Sequence, residues 1–246
     1  LVPLLLWQPW PPLSARFWGW IAVSLPLELI AMWLYMLAIR DSPLSLTLPY
    51  LAFTPVFNTL TGYLLLDETV SWSGFSGILL VVLGAWLLNL ETAQGGAGLS
   101  VLAPFRAITR ERGSSLMLGV AAIYSLTSVT SKAAMLQVTP GFFGAFYFVL
   151  LGTASVVLFA SRDLSSWRAL GRHRMAHLGI GLFMAAMVVT HFYAIAHIEV
   201  AYMVAVKRTS LLFGLLYGAW LFGETGLQKN LLAGLLMVLG VYLIVS

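Results

Sequence analysis

Residues 38–88, moved along the chain by 156 positions without a gap, fall onto residues 194–244. Ala38-Ile39 meets Ala194-Ile195, Phe57 meets Phe213 and Gly62 meets Gly218. Glu68-Thr69 meets Glu224-Thr225, and Val82-Leu83-Gly84 meets Val238-Leu239-Gly240. A chain that repeats itself at this distance is expected to fold as two related halves, and both halves are apolar. Residues are 60% hydrophobic and 9% charged, far from a soluble domain. No charge falls between Asp41 and Asp67, between Glu68 and Glu91, between Lys132 and Arg162, or between Arg174 and Glu199. A helix needs about 20 largely apolar residues to cross the hydrocarbon, and each interval is long enough. A membrane barrel would alternate polar and apolar residues in short strands, and these runs do not. The chain reads as an all-α, polytopic helical membrane protein.

Eight spans are expected, near 17–39, 43–66, 71–90, 114–136, 140–161, 176–197, 200–222 and 229–245. Ser42-Pro43 and Thr139-Pro140 place a capping side chain before proline at a helix start. The repeat pairs span one with six, two with seven and three with eight. Spans four and five then need upstream partners, and Leu1–Trp7 aligns with the tail of span five. The expectation is ten helices in two repeats of five, with the first helix and most of the second missing from the N-terminus. No Met opens the chain and no signal sequence precedes the first span. Residues 1–90 then form the first repeat, 91–113 an interfacial or cytoplasmic connecting loop, and 114–246 the second repeat. Five helices is an odd number, so the halves sit upside-down to each other, the inverted arrangement of many secondary transporters.

The net charge of +4 does not describe a nucleic-acid surface, because Lys and Arg sit in short loops between spans. Arg40, Arg106, Arg110, Arg112, Arg162, Arg168, Arg172, Arg174 and Lys229 fall on one side, against Arg16 and Lys132 on the other. The positive-inside tendency puts the larger group in the cytoplasm and both termini outside. Leu99–Arg112 reads either as a short basic interfacial helix or as a solvated loop. With no cysteine there is no disulfide, thiol chemistry or thiolate metal site. His173 and His177 share a helical spacing but lack a carboxylate ligand set, so no metal and no cofactor are expected.

Three segments carry a family likeness. Pro49-Tyr50-Leu51-Ala52-Phe53-Thr54-Pro55-Val56-Phe57 resembles the proline-containing fourth helix of the drug/metabolite transporter superfamily, EamA type. Leu64-Leu65-Leu66-Asp67-Glu68 and Trp220-Leu221-Phe222-Gly223-Glu224 resemble its helix-ending glutamate motif, found once per half. Gly74-Phe75-Ser76-Gly77 through Gly84, and Gly234 through Gly240, resemble the glycine-spaced last helix of each half. The resemblance implies a ten-helix carrier with a central cavity, moving small organic metabolites or drug-like molecules by alternating access. It also implies cytoplasmic termini, opposite to the charge count.

Candidate site residues are the charges and polar groups inside the spans, because each intramembrane charge costs at least a few kcal/mol. Glu28 lies midway along span one, two residues after Pro26. Lys207 and Arg208 lie about 10–13 Å into span seven at the helical rise. The repeat maps Glu28 to Met184, Lys207 to Leu51 and Arg208 to Ala52, so all three break its symmetry. Lys207 and Arg208 can grip an anionic cargo, or one can contact the substrate while the other pairs with Glu28; alternatively, the ions neutralise one another or the two cations snorkel to the interface. Glu28 can also serve as a proton-coupling carboxylate. His191 and Tyr193 in span six offer a proton shuttle or simple interhelical hydrogen bonds. Thr54 and Asn58 stand one turn apart beside Pro55, which suits a cavity wall or a packing kink. Glu68 and Glu224 read as capping or packing residues, and Lys132 as one that lines the cavity mouth or, the preferred reading, snorkels.

A secondary transporter is the function these features point to. No GxxxxGK[ST] loop supplies an ATP motor, which leaves a proton, sodium or a counter-substrate as the energy source. The partners expected are a small-molecule substrate and the lipid of a prokaryotic plasma (inner) membrane, with no nucleic acid. An intramembrane enzyme or a channel-like protein is the alternative. The enzyme would need a nucleophile–base set or converging metal ligands, and no HExxH or GxSxG occurs. Glu28→Gln and Lys207→Met are each expected to abolish uptake with expression near normal. Full transport by both variants at wild-type abundance would remove these residues from the mechanism.

Overall fold

The computed structural model describes residues 1–42, 47–94, 112–160, 174–210, 212–213, 220 and 231–246. Most of the expected connecting loop, His173, Gly214, Gly218, Glu224 and Lys229 lie outside the described residues, as does most of span seven beyond Phe213. The helices are α1 (Val2–Trp7), α2 (Ala15–Asp41), α3 (Thr54–Leu66), α4 (Trp72–Gln94), α5 (Arg112–Met135), α6 (Pro140–Ser155), α7 (Arg174–Ile195), α8 (Val200–Arg208) and α9 (Leu231–Val245). A 3-10 turn, Leu48–Phe53, leads into α3, and α6 runs on as a π turn, Val156–Ala160. Ala15–Asp41, Arg112–Met135, Pro140–Leu158 and Met175–Ile195 are each long and apolar enough to cross a bilayer. Every expected span coincides with helix over its described part, and the protein is a polytopic helical membrane protein.

Local chemistry sets the helix ends. The Ser14 hydroxyl accepts from the Phe17 N–H at 3.0 Å and opens α2. Thr139 does the same for α6, accepting from Phe142 N–H with Pro140 at the first position. At the end of α3, Asp67 adopts a left-handed backbone (φ 54), and the Glu68 N–H bonds back to the Gly62 carbonyl at 3.2 Å.

The chain divides into two compact units, Leu1–Leu29 with Thr130–Ile198, and Ile30–Val129 with Glu199–Ser246. The first unit is built on aromatic packing. Phe142 stacks on Phe146 at 5.5 Å, Phe143 stacks on Tyr147 at 5.4 Å, and Phe192 meets Phe143 edge-on at 5.0 Å. Leu5 of α1 is buried against Phe142 and Ala145. Ser24 of α2 donates to Thr130 of α5 at 2.8 Å, a buried polar tie of the kind that joins helices where lipid offers no hydrophobic drive. On α7 the buried residues Val188, Phe192 and Ile195 follow helical spacing, while Met175 and Phe183 are 83% and 78% exposed. Such exposure is ordinary when the surrounding solvent is hydrocarbon.

In the second unit α4 and α9 touch backbone to backbone. A Cβ on Gly77 would lie 2.5 Å from the Gly240 carbonyl oxygen, and one on Gly240 would lie 2.6 Å from that of Gly77. One turn-pair further on, a Cβ on Gly84 would meet the Ala233 carbonyl at 2.6 Å. Gly77 therefore pairs with Gly240 and Gly84 with Ala233, so the two helices run antiparallel. The 156-residue offset turns Gly77 into Ala233 and Gly84 into Gly240. The contact set maps onto itself, the signature of a two-fold axis. An axis relating antiparallel helices lies across them. Ile78, Val81, Val82, Ala85 and Met237 fill the seam, together with Ala52, Ala201 and Ala205.

Gly77→Ala and Gly240→Ala are each expected to lower the thermal midpoint of the solubilised protein, at a cost of about 1–3 kcal/mol for overpacking. Gly152→Ala, where a Cβ meets nothing within 4 Å, is expected to raise it by up to about 1 kcal/mol. Circular dichroism melts of the three variants check this.

Candidate functional site

The most informative polar cluster starts from a broken backbone. Pro55 has no N–H, so the carbonyl four residues earlier, that of Leu51, loses its helical donor. Thr54 supplies two replacements, its own N–H and its hydroxyl, which donates to the Leu51 oxygen at 2.7 Å. In hydrocarbon such repair is obligatory. The same hydroxyl oxygen accepts from Arg208 Nη2 of α8 at 3.1 Å. Repairing the proline break thus also fixes a guanidinium.

Asn58 lies one turn beyond Thr54 on the same face of α3 and is 0% exposed. Neither its amide nitrogen nor its oxygen has a partner among the described residues. Three residues further, Thr61 pairs with Ser125 of α5 at 2.6 Å. Thr54, Asn58 and Thr61 make a polar stripe on a helix whose other face, at Val56, Leu60 and Tyr63, borders an apolar groove. Arg208 is half-buried, its Nε is shielded and unpartnered among the described residues, and Tyr124 of α5 lies within electrostatic range. A buried polar atom without a partner costs about 1–3 kcal/mol, so this cluster is expensive to maintain for packing alone.

The opposite end of α8 is anchored too. Glu68 Oε2 accepts from the Val200 N–H at 2.8 Å, placing a carboxylate on the first turn of α8, where the helix dipole favours it. The Tyr202 hydroxyl accepts from the Ser71 N–H at 3.0 Å and lies over Gly74, where any Cβ would collide with it. The capping role read for Glu68 is the one the structure shows. α8 is therefore held against α3 by Glu68 at one end and Thr54 at the other, in antiparallel register.

Of the candidates in this unit, Thr54 and Arg208 are hydrogen-bonded and Asn58 stands one turn along α3 from Thr54, whereas Lys207 lies on the exposed side of α8. Glu28, His191 and Tyr193 belong to the first unit. Glu28 is half-buried on α2, within electrostatic range of the buried Tyr147 on α6. The His191 ring packs edge-on to Phe192 at 5.1 Å, and Tyr193 is exposed, with its hydroxyl near Gly141. Tyr147 and Tyr124 were missed from sequence. Tyr147 is the one polar handle in the run Gly141–Leu151, and that was the available signal. Lys132 departs from the snorkelling expectation: it is 7% exposed and donates to the Ile198 carbonyl just beyond α7, where helix-end carbonyls need donors.

Thr54→Val removes both the donor to Leu51 and the acceptor for Arg208, and a loss of about 1–3 kcal/mol in stability is expected. Thr54→Ser keeps both atoms and is expected to stay within about 0.5 kcal/mol of wild type. Thermal or urea unfolding of the pair in detergent checks this.

Residues 1–90 and 111–246 match the EamA-like transporter family. Over 74 residues the chain is 34% identical to the probable 4-amino-4-deoxy-L-arabinose-phosphoundecaprenol flippase subunit ArnE of Enterobacter sp. (strain 638), covering 30% of this chain and 69% of that protein. Over 91 residues it is 33% identical to the corresponding subunit ArnF of Proteus mirabilis (strain HI4320), covering 36% of this chain and 65% of that protein. Each match thus spans about two thirds of the relative's length. The chain belongs to the EamA-like transporter family and is an integral membrane transporter of small substrates.

Proposed function

We propose that this chain is a secondary transporter that carries a small organic metabolite or drug-like molecule across the inner membrane of a prokaryote by alternating access. It works without chemical catalysis and draws on a proton or sodium gradient, or on a counter-substrate. Residues 1–90 and 114–246 act as the two inverted repeats, joined by 91–113. The observation that carries the reading is the self-mapping contact of α4 and α9 through Gly77, Gly84, Ala233 and Gly240. Halves of similar construction and opposite orientation give two states of comparable energy, one open to each side, and a modest driving force exchanges them. Glu28, His191 and Tyr193 in one unit, and Thr54, Asn58, Lys207 and Arg208 in the other, supply the polar contacts to cargo and coupling ion.

A second reading has one observation in its favour. A groove of about 610 Å³, lined by Val56, Leu60, Tyr63, Val70, Trp72 and Phe75, has Leu60, Tyr63 and Trp72 exposed on its walls. An apolar tail fits such a surface, and the ArnE and ArnF relatives are named for a lipid-linked sugar. Saturable flux of a cargo without a lipid tail would dismiss this version.

Because the chain has no cysteine, a single introduced thiol reports without background. Thr61→Cys, on the polar stripe, is expected to react with a membrane-impermeant maleimide in both right-side-out and inverted vesicles. Reaction from one face only, under every ion gradient tried, would rule out alternating access through this stripe.

A further inference from the structure

We infer that Thr54, Asn58 and Arg208 form an oxyanion subsite, taking a carboxylate or phosphate group that carries a neighbouring hydroxyl or amine. The inference rests on the transporter reading and names the chemistry of cargo that this cluster accepts.

The argument begins with what the cluster leaves unmet. A guanidinium has five N–H donors in a planar fork and no acceptor. Nη2 spends one donor on Thr54, whose hydroxyl hydrogen is already committed to the Leu51 carbonyl. The shielded Nε–H has no acceptor among the described residues, and no carboxylate among them pairs with Arg208. Among the described residues the charge is held in place and not neutralised. An oxyanion seated on Nε and Nη meets the fork with two parallel charge-assisted bonds, the geometry for which arginine is suited and lysine is not.

Asn58 is the independent observation. It is fully shielded, both polar atoms are unmet, and it stands one helical turn from the residue that holds Arg208. Its NH₂ can donate to the same anion, and its carbonyl oxygen then requires a donor from the cargo. That pairing selects an anion with a hydroxyl or amine close by over a bare anion. The repeat adds a directional element. Asn58 corresponds to Gly214, Arg208 to the core residue Ala52, and Thr54 to Ser210. The hydroxyl that repairs the proline is the part both halves share; the fork and the amide occur once. The subsite therefore draws its amide from the first half and its fork from the second, and grips one end of the cargo only.

The test uses the full-length protein in nanodiscs, titrated with inorganic phosphate and separately with acetate at constant ionic strength, and read by thermophoresis. Saturable binding of one or both by the wild type is expected, and the preferred anion identifies the cargo's group. Arg208→Gln is expected to weaken binding by about 30-fold or more, and Arg208→Lys by about 10-fold through loss of the fork. Asn58→Asp is the sharpest variant. Its carboxylate occupies the place of the anion beside Arg208, so binding should vanish while the thermal midpoint rises. If Arg208→Gln fails to fold, Asn58→Asp and Arg208→Lys still decide the matter. Absence of saturable binding in the wild type, or wild-type affinity in Asn58→Asp, overturns the subsite. Two-sided labelling of Thr61→Cys with no anion binding would overturn the subsite alone and leave alternating access standing. Anion binding with one-sided labelling would do the reverse.

Discussion

Everything in the second unit depends on how closely α4 and α9 approach. Lipid tails are as apolar as leucine, so burying apolar surface does not drive helices together in a bilayer; dispersion between closely fitted surfaces does. Gly77, Gly84 and Gly240 remove the side chains that would hold the backbones apart, and Ala233 adds only a methyl group. The register this creates is antiparallel and symmetric. It brings α8 alongside α3 with Val200 at Glu68 and Arg208 at Thr54, one contact at each end. A larger residue at the seam would therefore disturb polar contacts on other helices.

The second constraint is that hydrocarbon tolerates no unmet backbone group. Pro55 creates one, and the chain answers with a threonine immediately before it. A hydroxyl that only donated would be a local repair. Because its oxygen also accepts from Arg208, the repair becomes a foundation for a charge that is otherwise costly in the membrane. The 3-10 turn before Thr54 brings the chain to this point with Tyr50 and Phe53 packed edge-on to Trp86, at 5.6 and 5.1 Å.

Much of this was legible in the residues and some was not, for identifiable reasons. Charge-free runs located the spans because transfer free energy is nearly additive along a helix. The glycines at 77, 84 and 240 were visible as a spacing, but which glycine faces which needs the antiparallel register. Thr54 and Asn58 were legible as neighbours, being four residues apart on a helix. The bond between Thr54 and Arg208 spans 154 positions, and no local pattern announces it. Glu68 could be read as a cap, yet its recipient, Val200, lies 132 positions away. Lys132 misled because a lysine at a span end usually reaches for headgroups; here the carbonyl at Ile198 was nearer. Composition cannot rank two such acceptors, since the choice depends on the packing of α7 against its neighbours.

Arg208 and its counterpart Ala52 carry a wider consequence. Two identical half-size proteins meeting about the same axis would be compelled to install a guanidinium twice, and like charges repel strongly where water cannot screen them. A single polypeptide escapes that obligation. It keeps the duplicated framework and places the cation in one copy, with alanine in the other. Covalent linkage thus lets the lineage specialise one face of its interior without doubling the electrostatic burden, a freedom that strict homodimers lack.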